Sequence, residues 1–231
     1  MVDNIKAYIF TELELQLMVS MMGKTSLYGF GSDKSIKGDA LKRNTYEAIY
    51  SLAKKKYLEY VDKSNVIKDV QAFKAYKFDS LYVEEKVVKL IRNITQAKII
   101  YEINKWDTLE NVLIYVDGDI KAKESVGNKV TIVRPNLTNK DELIVSAIKI
   151  EEFEAYLLEE GYLPQNALEG LFNNKAIAYS ENKLVTFRII NPVSFEEKKI
   201  INVYEDLSYD LDDNKRKIYS KTNIIKELEK R

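Results

Sequence analysis

Chemistry at a protein site needs a nucleophile, a proton-transfer group or a set of metal ligands, and this sequence of 231 residues contains neither histidine nor cysteine. Thiol nucleophiles, disulfides, Cys/His zinc sites, imidazole bases and histidine-containing triads are therefore excluded. Carboxylate, lysine, tyrosine, serine or threonine chemistry remains, or an oxygen-bound Mg²⁺ or Ca²⁺. Gly23-Lys24-Thr25 has the ending of a phosphate-binding loop, but the upstream glycine such a loop requires falls on Met18, within a helical pattern. A helix-ending glycine is the expectation there. Asp117 and Asp119 flank Gly118, yet Lys121 and Lys123 stand where a calcium loop needs oxygen ligands, so a turn is expected. Asp210, Asp212 and Asp213 form an acidic group that no distant carboxylate or glycine pattern completes, as in a solvated loop. Lys34, Lys37, Lys42, Arg43, Lys54, Lys55 and Lys56, against Asp39 and Glu47, make a basic patch suited to phosphates. Its outer face carries chiefly lysine rather than base-reading Arg, Asn or Gln, which favours an ordinary solvated helix face. No catalytic, cofactor or metal-binding set assembles, so the expectation is a protein that is not an enzyme and takes no cofactor.

The elements that would position such residues follow from hydrophobic period and turn chemistry. Residues 5–10 read as a short strand, and Thr11 with Glu14 is a capping box opening a helix, with Phe10 and Leu15 as its staple and Gly23 as its stop. A long loop leads to a second helix over about 39–56, with Leu41, Ala48, Ile49, Leu52 and Ala53 inward. Residues 57–61 turn strand-like, with 66–70 as a hairpin partner, so helix, loop, helix and β ribbon together resemble a winged helix. A third helix is expected from Asp79, stapled by Phe78 and Val83 and burying Val87, Leu90, Ile91 and Ile94.

The most legible sheet runs from Lys98 to Arg134, with Asp117-Gly118 as a hairpin turn. Both faces of its first two strands are apolar, which a half-solvated sheet would not need. Helix is expected over 138–149 and again over 150–160, closed by Gly161. Strands follow at 176–179 and 184–190 across Glu181-Asn182. Residues 194–207 fit either a helix capped by Ser194 and Glu197 or a strand over 199–204 paired with 216–219; strand is favoured, before a terminal helix over 223–231. Glu151 to Leu157 echoes Glu12 to Met18. The expected fold class is thus α+β, a central antiparallel sheet flanked by helices with a winged-helix-like N-terminal part, forming a single domain over 1–231 with pseudo-repeat halves 1–135 and 136–231.

Thirty-six basic residues balance 36 acidic ones, so the overall field favours neither nucleic acid nor an anionic membrane. No apolar run approaches the roughly 20 residues of a spanning helix, and the N-terminus has no leader pattern; a cytoplasmic protein is expected. Sixteen tyrosines, each apolar area with a polar tip, suit strand interiors and interfaces alike.

Thr11-Glu12-Leu13-Glu14-Leu15 and Leu52-Ala53-Lys54-Lys55-Lys56-Tyr57-Leu58, followed by a helix leading into the sheet, resemble the layout of the EspG-like chaperones of type VII (ESX) secretion systems. Where those proteins carry glycine before the position of Tyr57, this chain has lysine. The resemblance implies a bacterial cytosolic, monomeric chaperone that binds a helical-hairpin client of the WXG or LXG type; the expected chain is a monomer or dimer that takes no small molecule, nucleic acid or membrane. The partner surface expected from the sheet is Tyr101, Ile103, Ile114 and Tyr115, with Asp119 and Val126 in the turn beyond. A winged-helix DNA-binding regulator using the basic patch at 34–56 is the alternative.

Overall fold

The computed structural model describes residues 7–30, 38–60, 75–78, 81–118, 130–164, 181–206, 208–212, 215–218 and 220–229. The fold is α+β. It divides into two compact units: Tyr8–Gln96 with Asn136–Ile144, and Met1–Ala7 with Ala97–Pro135 and Val145–Arg231. These borders differ from the halves 1–135 and 136–231 drawn from the sequence.

The first, helical unit begins with strand β1 (Tyr8–Thr11) and helix α1 (Glu12–Met21). The capping box forms as expected: Glu14 N donates to Thr11 Oγ1 at 3.2 Å and Thr11 N to Glu14 Oε2 at 2.7 Å. Gly23, at φ 86°, ends the helix through bonds from its own N to Ser20 O and from Lys24 N to Val19 O. Helix α2 (Asp39–Lys54) ends in the same crossed pair of bonds, Lys56 N to Ala53 O and Tyr57 N to Leu52 O. Lys56, at φ 60°, sits where glycine would be unstrained.

Strand β2 (Leu58–Tyr60) then pairs with β4 (Leu81–Glu84), which also pairs with β3 (Ala75–Phe78), in the order β2-β4-β3. The ribbon partner expected at 66–70 lies outside the described residues. The expected start of the third helix at Asp79 is corrected: strand partners on both sides hold Leu81-Tyr82-Val83 extended, and helix α3 (Glu85–Thr95) begins after them. Its expected stripe of Val87, Leu90, Ile91 and Ile94 is buried.

The second, sheet unit contains β5 (Ile99–Lys105), β6 (Glu110–Val116), β7 (Val130–Pro135) and β8 (Glu142–Ile148), the first three residues of β8 counting with the helical unit. A 3₁₀ turn (Ile150–Glu152) leads to α4 (Phe153–Glu159), then come β9 (Lys183–Ile190), β10 (Glu197–Tyr204), β11 (Ser208–Leu211), β12 (Lys217–Ile218) and α5 (Lys221–Glu229). Within this unit the strand order is β8-β7-β6-β5-β9-β10-β11-β12.

Several expectations change here. Val116 pairs with Val130, so Asp117-Gly118 opens a long connection rather than forming a two-residue hairpin. The tight hairpin is at 106–109, between Lys105 and its partner Glu110, with Leu109 at φ 54°. Residues 142–148, read as helix, are strand β8: the chain reverses at Asn136 and Asn139, and Ile144 and Val145 are β-branched residues suited to a pleated surface. Residues 197–204 are strand, as favoured, but β10 lies between β9 and β11; residues 217–218 pair with β11 instead. The strand expected at 176–179 lies outside the described residues. Gly161, at φ 73°, closes α4 by the crossed bonds Gly161 N to Leu158 O and Tyr162 N to Leu157 O.

One face of the large sheet packs with α4 and α5 into a continuous core. Ile99, Tyr101, Ile103, Val112, Ile114 and Val116 meet Phe153, Tyr156, Leu157, Ile224 and Leu228 there. Each such aliphatic side chain contributes roughly 1.5–3 kcal/mol by leaving water.

Candidate functional site

Strand alternation decides where the expected partner residues stand. Tyr101, Ile103 and Ile114 point into the core of the sheet unit and are 1%, 0% and 0% exposed. Tyr101 stacks on Phe153 at 5.4 Å between ring centroids, and its hydroxyl donates to Leu228 O at 2.9 Å. Tyr115 points to the opposite face and is also buried. Asp119 and Val126 lie outside the described residues. Ile100, Leu113 and Val133 are likewise buried on that opposite face. A charge placed at Tyr101 or Ile114 therefore tests folding before it tests partner binding.

The opposite face holds an arrangement that sequence reasoning missed. By register, Asn111 on β6 lies beside Asn104 on β5, Asn104 beside Thr186 on β9, Thr186 beside Asn202 on β10, and Asn202 beside Asp210 on β11. Trp106 Nε1 donates to Thr186 Oγ1 at 2.9 Å, Thr186 Oγ1 to Asn202 Oδ1 at 2.9 Å, and Asn202 Nδ2 to Asp210 Oδ1 at 2.9 Å. Tyr204 Oη donates to the remaining oxygen, Asp210 Oδ2, at 2.6 Å. Every donor points towards one carboxylate, an order in which successive bonds polarise one another.

Thr186, Asn202 and Asp210 are buried, and Arg216 lies over the Tyr204 ring at 3.6 Å. Burial, then the Asp210 hydrogen bond, pushes the Tyr204 hydroxyl up to about 12. The next row is ionic, with Arg188 bridging Glu102 at 3.4 Å and Glu197 at 3.2 Å. Asn104 Nδ2 is buried without an acceptor. Chemically this row holds strand register, because a one-residue slip would turn its amides and carboxylate into the apolar core. The available signal was asparagine and aspartate inside otherwise β-branched strands, where they are disfavoured without a partner.

In the helical unit the polar side chains also engage each other. Glu14, 1% exposed, takes Lys55 Nζ on Oε2 at 2.7 Å, and the same ammonium reaches Ile9 O at 3.2 Å. Tyr57 Oη accepts from Ile9 N at 3.0 Å. Burial, then the Glu84 carboxylate, pushes the Tyr8 hydroxyl up to about 12. Lys55 thus leaves the expected basic patch and becomes a structural cation, while Lys42, Arg43, Lys54 and Lys56 are exposed and Lys34 and Lys37 fall outside the described residues. Tyr46 and Tyr50, one helical turn apart on α2, are 67% and 74% exposed.

The remaining candidates resolve into local structure. Gly23-Lys24-Thr25 follows the end of α1. Asp210 belongs to the sheet row, Asp212 Oδ1 accepts from Ile200 N at 2.8 Å, and Asp213 is outside the described residues. Among the described residues no group of three carboxylates is placed to hold a metal ion. A groove between α4 and α5, lined by Ile150, Phe153, Glu154, Ile225 and Leu228, holds about 120 Å³, against roughly 300–1,000 Å³ for a small-molecule site. No helix among the described residues is long and apolar enough to cross a membrane. Compared with known proteins, the sequence matches no family model and no curated protein.

Proposed function

We propose that this chain is a non-enzymatic, cytoplasmic chaperone or adaptor that binds a helical-hairpin client of the WXG or LXG type in type VII secretion. The observation that carries the reading is the contrast between engaged polar groups and presented aromatic area. The buried carboxylates of Glu14 and Asp210 are spent on hydrogen bonds within the fold, while Tyr46 and Tyr50 stand out from α2. Exposed tyrosine area on a helix face suits an interface more than catalysis. The layout resemblance to EspG-like chaperones supports the same reading, with the client surface moved from the buried sheet residues to the helical unit.

The test is co-expression of the tagged chain with helical-hairpin proteins of the WXG and LXG types. A one-to-one complex surviving size exclusion is the expected result, and no complex with any of them removes the reading. A second reading, duplex DNA binding through α2, is favoured by the exposure of Lys42, Arg43, Lys54 and Lys56. It is tested by neutralising Lys54 and Lys56 while keeping Lys55, because removing Lys55 would strand the buried Glu14. Binding that falls steeply with salt and with that double substitution would support it.

A further inference from the structure

Helix α2 presents a ladder at four-residue spacing, Lys42, Tyr46, Tyr50 and Lys54, all exposed. Its inner side is different, with Ala48 and Leu52 buried. At about 1.5 Å rise per residue the ladder spans roughly 18 Å, a helix-sized footprint with two phenol rings at the centre and a cation at each end. Scattered exposed apolar residues are normal on a surface. Two aromatics on adjacent turns, fenced by cations, form a patch of defined polarity.

Charge chooses among the occupants. A second copy of α2 laid antiparallel about a point between Tyr46 and Tyr50 would set Lys42 against Lys54 of the other copy, and a parallel pairing would set like against like at both ends. Self-association is thus opposed by repulsion at the ends of the footprint. A phosphate backbone would meet Asp39, whose side chain is fully exposed, and Glu47, also exposed, on the same helix. An amphipathic helix that places two apolar anchors between carboxylates about three turns apart offers what a phosphate backbone does not, anchors that cover the tyrosines, while its carboxylates pair with Lys54 and, in place of the exposed Asp39 contact at 3.6 Å, with Lys42.

We infer that the outer face of α2, from Lys42 to Lys54, is the docking surface for such an acid-flanked amphipathic helix of a client protein. This deepens the chaperone reading and rests on it. The partner is recognised by its pattern of carboxylate, apolar, apolar, carboxylate along one helical face, and Arg43 and Lys56 widen the cationic margin.

The test uses the full chain and a labelled synthetic helix of about 20 residues carrying two leucines between two glutamates about 11 positions apart, with a twin bearing lysine in place of glutamate. Fluorescence anisotropy is expected to show the glutamate peptide binding at least about tenfold more tightly than its twin. The double variant Tyr46→Ala/Tyr50→Ala loses about tenfold or more, and Lys42→Glu/Lys54→Glu reverses the preference between the peptides. These positions are exposed, so the melting temperature of each variant should stay near that of the parent, which separates binding from folding. Equal affinity for the two peptides, no binding of the glutamate peptide, no loss in the tyrosine variant, or tighter binding of duplex DNA than of the glutamate peptide overturns the inference. A helical-hairpin client that still co-purifies with the tyrosine variant removes this surface while leaving the chaperone reading in place; absence of any client complex with the parent chain removes both.

Discussion

Asp210 in the sheet unit and Glu14 in the helical unit are 3% and 1% exposed, yet their carboxylates are held by different means. Asp210 receives two uncharged donors, Asn202 Nδ2 and Tyr204 Oη, delivered by strand register to its two oxygens. Glu14 has one backbone donor from the helix start, Thr11 N, and the ammonium of Lys55, both on Oε2, while Oε1 has no partner. A sheet can line up neutral donors from adjacent strands. A helix N-terminus offers its N–H groups from one side only, so a buried carboxylate there needs a counter-charge from another element.

That contrast predicts effects of different size and place. Asp210→Ala removes the acceptor of two buried donors, each costing about 1–3 kcal/mol when left unmade, so the sheet unit should lose roughly 3–4 kcal/mol in urea unfolding. Hydrogen exchange should show the loss in β9, β10 and β11; a loss below about 1 kcal/mol would show that water replaces the carboxylate.

Lys55→Met should cost about 3 kcal/mol in the helical unit, since Glu14 is left buried without its cation. Adding Glu14→Gln to that variant should recover part of the loss, because the stranded charge is gone. A double variant less stable than Lys55→Met would mean that packing of the lysine stem, not charge, is what matters.

Smaller effects separate the helix ends. Lys56→Gly should stabilise by roughly 0.5–1 kcal/mol, and Gly161→Ala should destabilise by about 1 kcal/mol, because both positions hold left-handed backbone but only the second already has glycine. Thermal melts showing the same sign for both would break the argument.

A last comparison lies in titration and shows only at high pH. Tyr8 and Tyr204, one in each unit, should ionise near pH 12 in the folded protein against about 10 when unfolded. The folded state then holds the proton more tightly, so their contribution is complete below pH 10 and is lost as pH rises from 10 to 12. Absorbance titration should show the high-pH step shrinking in Tyr204→Phe.

Much of the helical unit was legible because its signals are local. Thr11 with Glu14, the stop at Gly23, and the stripe Val87, Leu90, Ile91 and Ile94 are interactions within a few residues of one helix. Even the unexpected lysine before Tyr57 kept its place, since the crossed bonds at the end of α2 dictate left-handed backbone there whatever the side chain. The misread elements were those whose conformation depends on distant partners. Leu81 to Glu84 and Glu142 to Ile148 have compositions that fit helix or strand, and neighbouring strands decide. The expected surface grouped Tyr101, Ile103, Ile114 and Tyr115, but strand alternation turns Tyr115 to the face opposite the other three, and α4 and α5 pack on the face those three share.

By itself the sequence determined what chemistry is excluded, where most helices start and stop, and which strand residues share a face. Those outcomes follow from side-chain inventory and from contacts spanning a turn or two. Only tertiary structure decided that the apolar sheet is interior, that Lys55 belongs to Glu14, and that Trp106 reaches Thr186 across 80 residues of chain. Pairing across such separations is chosen by the whole fold, where the loss of chain entropy is offset only when many contacts form together.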